Sequence, residues 1–334
     1  MKQAAEDRLR SPHIMPSLYA PVREELDQVE DLLREQLRSE HPFVDGLVRY
    51  GFRLGGKRLR PALLLLSAQA CAGLRPAHVV LAAAVEMIHT ATLIHDDVLD
   101  EATMRRHLDT VNVRWDNETS VLLGDYLFTR SLCLASSLDD VFACRALGDA
   151  SRAMCEGELR QVESRGNYAL TEPQYFDIIT GKTAALTACC CRLGAHYAAA
   201  DPPAEEALTR YGLQLGIAFQ IADDLLDVFG DEATVGKSLG TDLLKQKSTL
   251  PLIRLLDRVT AGERAELLSQ LSGSDNHHRE ILRGWWDRSD ALAYARQQAH
   301  EFAHRASQEL AGLAPSPARD ALAALAEFVV NRQH

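Results

Sequence analysis

The chain has 334 residues, 46% of them hydrophobic and 25% charged, and a formal net charge of −11. The composition is that of an ordinary globular protein, and the acidic balance excludes a nucleic-acid partner held on a broadly basic surface. An anionic substrate stays open, because a few clustered Arg and Lys with bound cations reverse the sign locally.

Met1 to Pro12 is polar and charged, unlike a secretory signal. No apolar run reaches the ~18 residues that span a bilayer. The runs at Leu63–Leu66 and Val79–Ile94 are broken by Ser67, Gln69, Glu86 and His89. Seven Cys without a CxxC pair suggest neither a disulfide framework nor a zinc knuckle. Cys189-Cys190-Cys191 read as small core fillers, and a reducing cytoplasm is the expected compartment.

In chain order, residues 1–17 read as a loose arm and 18–334 as a single all-α domain. Ala, Leu, Glu and Arg recur at helical spacing, while alternating strand patterns are scarce. Pro21 opens a helix with an apolar stripe at Leu26, Val29, Leu32, Leu33 and Leu37. A second, short helix follows Pro42. Gly55-Gly56 breaks the chain ahead of Lys57-Arg58-Leu59-Arg60, and Pro61 restarts a helix. A long apolar helix is predicted from Ala77 through Asp100. Further helices are predicted over Ser120–Leu138, Val141–Ser164, Glu172–Ala200 and Ala204–Phe229, then three more in the C-terminal third, with loops at Ser272–His278 and Ala314–Pro317.

The chemistry concentrates in two acid clusters. In Asp96-Asp97-Val98-Leu99-Asp100 the outer acids are four apart, so both lie on one helix face about 6 Å apart along the axis. Asp223-Asp224-Leu225-Leu226-Asp227 repeats the spacing. A lone acid run on a helix is usually a solvated face. Here both runs follow apolar residues, Leu93-Ile94 and Phe219 with Ile221-Ala222. Close carboxylates in such a setting repel and shift their pKa values upward, and a cation between them relieves that. All-oxygen ligands favour Mg²⁺, which is commonly shared with substrate phosphates. His95 reads as a packing or hydrogen-bonding residue.

Lys57, Arg60, Arg105, Arg106, Lys182, Lys237 and Lys247 each stand beside a glycine, a helix end or an acid cluster. Guanidiniums bind phosphate oxygens bidentately, and Lys supplies a point charge. Metal-binding acids opposed by bases suit two polyphosphate groups rather than one.

These motifs resemble the trans-isoprenyl diphosphate synthases, closest to bacterial long-chain octaprenyl-type enzymes. The resemblance runs from about Leu18 to the end. It rests on Gly55-Gly56-Lys57-Arg58-Leu59-Arg60-Pro61, Asp96–Asp100 with Arg105-Arg106, Gly157-Glu158 with Gln161, and Lys182-Thr183. Phe219-Gln220, Asp223–Asp227, Gly236-Lys237 and Lys247-Ser248-Thr249-Leu250-Pro251 complete it. It implies a bundle of long helices around a deep central cavity, usually a homodimer. It implies a prenyltransferase in which an allylic diphosphate such as farnesyl diphosphate ionises, the double bond of isopentenyl diphosphate attacks, and a proton is lost.

By the same resemblance, Asp96, Asp100 and Asp223 bind Mg²⁺, three ions with substrate present, and Asp227 supports them. Asp97 and Asp224 complete the catalytic acid motifs. Arg105, Lys182, Thr183, Gln220, Lys237 and Lys247 hold the allylic diphosphate. Lys57, Arg60, His89 and Arg106 hold isopentenyl diphosphate. On local sequence alone, His89 reads equally as a satisfied core histidine. Ala91, Thr92, Met87 and Ile88 form the floor that sets chain length. Small residues one turn before Asp96 imply a product of about C35 to C50, with C40 the single best value and a quinone side chain the destination by analogy.

No nucleic acid and no transmembrane segment are expected, only transient membrane contact for product release. Two positions depart from the family pattern: His107 and Gln246 stand where Gly is usual. The competing expectations are a shorter-chain geranylgeranyl synthase, a terpene cyclase and a non-catalytic subunit of a heteromeric synthase. Cyclases usually replace the second Asp cluster, and non-catalytic partners lose acids or arginines; neither pattern is met here.

Overall fold

A computed structural model describes residues 17–54, 56–229, 241–271 and 278–331. After a short 3-10 turn at Ala20–Val22, the first helices are α1 (Arg23–Gln36), α2 (Pro42–Arg53), α3 (Leu59–Ala70) and α4 (Pro76–Leu99). A two-stranded hairpin follows, β1 (Met104–Arg105) with β2 (Leu108–Asp109), then α5 (Val111–Arg114), α6 (Asn117–Ser136) and α7 (Val141–Glu163). The second half holds α8 (Glu172–Ile179), a π turn (Thr180–Ala184), α9 (Ala185–Tyr197), α10 (Pro202–Phe229) and α11 (Thr241–Leu244). The chain closes with α12 (Leu250–Arg258), α13 (Ala261–Leu271), α14 (His278–Trp286), α15 (Ala291–Glu309) and α16 (Pro317–Asn331).

The helix starts follow local chemistry. Pro76 occupies the first turn of α4, where its missing N–H costs nothing. Asp116 caps α6 by accepting from the Thr119 amide at 2.6 Å, and Asp140 caps α7 by accepting from the Phe142 amide at 2.9 Å; each satisfies an amide that the helix itself leaves unpaired. At 24 residues, α4 is about 36 Å long. It packs along α6, and α9 packs against α3, α4 and α10. On its other side α10 packs along α15. The cysteines Cys189, Cys190 and Cys191 are all buried on α9.

Four expectations change. The helix predicted over 172–200 runs unbroken from Glu172 to Tyr197, but it is not α-helical throughout, because a wider π turn at Thr180–Ala184 joins α8 to α9. Among the described residues, the C-terminal third after α11 holds five helices rather than three. The hairpin Met104–Asp109 was missed by the sequence reading. Its two central residues, Arg106 (φ 54°) and His107 (φ 61°), both have positive φ, as a two-residue turn matching the twist of its strands requires. Finally, among the described residues, α4 is long and apolar enough to cross a membrane, but 67% of the qualifying stretch is buried within the bundle.

The π turn is held by a close crossing with α7. A Cβ on Gly157 would lie 2.9 Å from the Ile178 carbonyl oxygen and closer still to the Lys182 amide. A Cβ on Gly181 would lie 2.7 Å from the Ala153 carbonyl oxygen. Only backbone fits on either side. Gly157→Ala is therefore expected to cost about 2 kcal/mol through overpacking, read as a lowered midpoint of thermal unfolding.

Candidate active site

One cavity of about 1930 Å³ gathers most of the polar residues singled out above. Its first acid wall is the last turn of α4. Asp96 and Asp100 face into the cavity, as their four-residue spacing requires. Burial raises the Asp96 carboxyl, while Lys182 pulls it back down. Asp97 also touches the cavity edge but is 2% exposed and committed to Arg105. Arg105 donates through Nε at 3.0 Å and Nη2 at 2.8 Å to Asp97 Oδ1. Asp97 thus holds a guanidinium in place rather than presenting an open carboxylate.

The second acid wall is the end of α10. Asp223 and Asp227 line the cavity, and Asp227 accepts from the Asp242 amide at 3.2 Å. Asp224 is buried and its two oxygens are engaged. Tyr175 Oη donates to one at 2.7 Å and Gln220 Nε2 to the other at 2.8 Å. Thr183 Oγ1 in turn donates to Gln220 Oε1 at 2.6 Å. This chain of bonds fixes the π turn and α8 against α10, so Asp224 sets the register of the second wall. Burial raises its carboxyl, and Asp242 adds to the effect.

The basic residues divide into two groups. Lys57, Arg60, His89 and Arg106 line one part of the cavity. Arg60 Nη1 donates to His89 Nε2 at 2.9 Å, which requires that nitrogen to be an acceptor. Burial, together with Arg60, Arg105 and Arg106, holds His89 well below the usual histidine range and keeps it neutral. On the other side, Lys182 pairs with Glu158 and donates to Gln161 Oε1 at 2.7 Å. Lys247 reaches across to Asp100, 3.3 Å from Oδ1. Burial works against the Asp100 charge, but Lys247 and Lys245 outweigh it and hold the carboxyl below its usual range. Lys237 lies outside the described residues.

Of the expected floor residues, Ile88, Ala91 and Thr92 line the cavity. Met87 does not. It is fully buried in the apolar core, one position further round the helix than Ile88 and so about 100° away.

Residues 41–284 match the sequence profile of the polyprenyl synthetase family. The chain belongs to that family. The all-trans-nonaprenyl-diphosphate synthase (geranyl-diphosphate specific) of Rhodobacter capsulatus is 36% identical over 318 residues, 94% of this chain and 97% of the relative. The octaprenyl diphosphate synthase of Escherichia coli is 37% identical over 306 residues, 91% and 94% of the two chains. A polyprenyl synthase from Caulobacter crescentus, solved with calcium and isoprenyl diphosphate, superposes with a TM-score of 0.90 at 35% identity, covering 96% of this chain and 98% of that one. This polyprenyl synthetase is therefore a prenyltransferase that uses isoprenyl diphosphates.

The donor set of this family member fits a hard divalent cation. Among the described residues no three His, Cys, Asp or Glu side chains converge on one point. The walls offer carboxylates in ones and twos, which suits ions that complete their shells with phosphate oxygens and water.

The sequence reading missed several residues around these walls. Tyr175 carried no local signal, since a lone tyrosine in an amphipathic helix reads as core. Glu86 looked like an interruption of an apolar run. It is 1% exposed and accepts from Arg58 Nη1 at 2.8 Å, and Glu30 accepts from the same guanidinium. Arg58 itself sits at φ 55°. The two acids, which themselves line the cavity beside Arg58, thereby fix the Lys57–Arg60 turn.

Proposed function

We propose that the protein extends an allylic diphosphate, such as farnesyl diphosphate, by successive additions of isopentenyl diphosphate to a long all-trans-polyprenyl diphosphate. The reading is carried by one observation: both Asp pairs open onto one cavity whose wall, one turn before Asp96, carries Ala91 and Thr92. The cavity of about 1930 Å³ exceeds the roughly 300–1,000 Å³ typical of small-ligand pockets. That favours a long product, about C35 to C50 with C40 the best single value.

Asp96, Asp100 and Asp223 would hold Mg²⁺, three ions with substrate bound, whose charge neutralises the departing diphosphate. Lys182, Thr183, Gln220, Lys247 and Lys237 would bind that diphosphate together with Arg105, which Asp97 orients. Lys57, Arg60, neutral His89 and Arg106 would seat isopentenyl diphosphate so that its double bond faces the ionising carbon. Holding the two substrates in one orientation lowers the barrier to their bimolecular step. The apolar walls below Asp96 exclude water, which would otherwise trap the carbocation.

Residues 18–334 would act as one domain. A homodimer in the cytoplasm completes the reading; α5 and α6 leave Val113, Val121 and Leu122 exposed, which suits a second copy. A quinone side chain is the proposed destination.

The direct test is purified protein with Mg²⁺, farnesyl diphosphate and labelled isopentenyl diphosphate, with the dephosphorylated products separated by chromatography. Products of C35 or longer support the reading; products that stop at C20 or below, or no extension, end it. A second test concerns Glu86→Gln. Loosening Arg58 misplaces Lys57 and Arg60, so kcat/KM for isopentenyl diphosphate is expected to fall about tenfold or more. The KM for the allylic primer should stay near the wild-type value.

A further inference from the structure

The Asp100 carboxylate has more basic neighbours than the metal-binding reading requires. Lys245 Nζ lies 2.9 Å from Asp100 Oδ1. Lys247 Nζ lies 3.3 Å from the same oxygen, and Arg165 Nη2 lies 3.7 Å from it. Lys247 also meets Asp242 at 3.5 Å. Lys245 lines the main cavity beside Asp100 and Lys247.

The arrangement is built by the backbone. Gln246, at φ 53°, turns the chain between the two lysines so that both reach one carboxylate. Its carbonyl accepts from the Gly166 amide at 2.9 Å, and Ser248 Oγ donates to the Asn167 carbonyl at 3.1 Å. These bonds tie the 245–248 turn to the loop that carries Arg165. Two loops thus close around the outer end of the first acid wall.

An ammonium 2.9 Å from Asp100 Oδ1 and a Mg²⁺ about 2.1 Å from the same carboxylate repel each other, so metal binding loosens the lysine's hold on it. The loosened ammonium then needs another anionic acceptor, and a diphosphate brought in with the metal supplies one. We propose that Lys245 is a further residue of the diphosphate site, competing with the metal for the Asp100 carboxylate and trading that partner for a diphosphate oxygen when the two bind together. This rests on the function proposed above. It makes metal and diphosphate binding mutually reinforcing, since each removes an obstacle to the other.

The test is isothermal titration calorimetry on the full chain, wild type against Lys245→Met and Lys245→Arg, with Mg²⁺ alone and with inorganic pyrophosphate in saturating Mg²⁺. Lys245→Met is expected to bind Mg²⁺ alone several-fold more tightly. It should bind pyrophosphate with Mg²⁺ about tenfold more weakly, the value of one hydrogen bond to a charged group. The arginine variant should restore pyrophosphate affinity to near wild type. Opposite signs in the two titrations are the signature, because a purely structural lysine would move both constants together or neither. Both constants within twofold of wild type, or weaker binding of Mg²⁺ alone, would overturn the proposal. If wild type itself binds no pyrophosphate with Mg²⁺, the proposed function falls and this inference with it. Lys245→Gln, with its thermal unfolding midpoint, checks that any loss in the methionine variant is not a loss of folding.

Discussion

Asp96→Asn is expected to lower kcat by about two to three orders of magnitude, the range seen when one preorganised charge-stabilising group is removed from an active site. Asp96 opens onto the cavity in the last turn of α4, and Asn keeps its shape while removing its charge. The fold should not suffer. Burial raises the Asp96 carboxyl, and Glu158 and Asp100 add to the effect. A carboxyl whose folded-state pKa lies above its unfolded value destabilises the native state once ionised. The metal-free protein therefore loses stability as pH rises through the unfolded and then the folded pKa of Asp96. The asparagine variant lacks that loss, so near neutral pH it should unfold at an equal or higher temperature than wild type. Activity and metal-free stability moving in opposite directions, measured by product formation and thermal unfolding, distinguish a metal-holding acid from a structural one. An asparagine variant with turnover within tenfold of wild type would remove Asp96 from the chemistry.

The second large effect is a change of product rather than of rate. Ala91 is 1% exposed to solvent and lines the cavity one turn before Asp96. A phenylalanine there would project into the space where the hydrocarbon grows, above Ile88. Ala91→Phe is expected to shift the main product from a long chain to about C20 or shorter, since a close-packed wall does not yield to an added ring. The first condensation should continue at near the wild-type rate, because the acid walls and both diphosphate groups are untouched. Met87→Leu is the control. Its side chain faces the core, so it should leave product length unchanged and cost less than about 1.5 kcal/mol of stability. Unaltered product length in Ala91→Phe would move the floor to another wall of the cavity.

The helical frame was legible because its signals are periodic. Apolar spacing, Pro42 and Pro61 in first turns, and matched acid pairs survive without tertiary information. The aspartates were legible because four residues is one turn, which fixes their common face before any packing is known. The same logic misled at Met87. A four-residue step from Ala91 looks equivalent to the three-residue step to Ile88, yet the cavity stripe follows Ile88, Ala91, Thr92, His95 and Asp96, leaving Met87 on the core side.

Other features had no local signature. The π turn at Thr180–Ala184 changes backbone register without changing residue type, and only Gly157 and Gly181 across the helix crossing explain where it sits. Strands of two residues are too short to alternate, so the hairpin at Met104–Asp109 was invisible. The His107 and Gln246 departures take on physical meaning in the structure. Both residues adopt positive φ, 61° and 53°, where glycine is the unstrained choice. The sequence marked the positions, and the backbone supplies the reason. Tyr175 and Lys245 act through partners far away in sequence, Asp224 and Asp100, and no spacing rule reaches across such distances.

The central claim is that the two acid walls close on one metal-bound diphosphate. A crystal structure of the protein with Mg²⁺ and an unreactive thio analogue of farnesyl diphosphate tests it most directly. The expected result is Mg²⁺ coordinated by Asp96 and Asp100 on one side and by Asp223 on the other, with the diphosphate between them, Lys182 and Lys247 on its oxygens, and the farnesyl tail running past Ala91 toward Ile88. A diphosphate bound without metal at Asp96 and Asp223, or a tail leaving the cavity away from Ala91, would contradict the account.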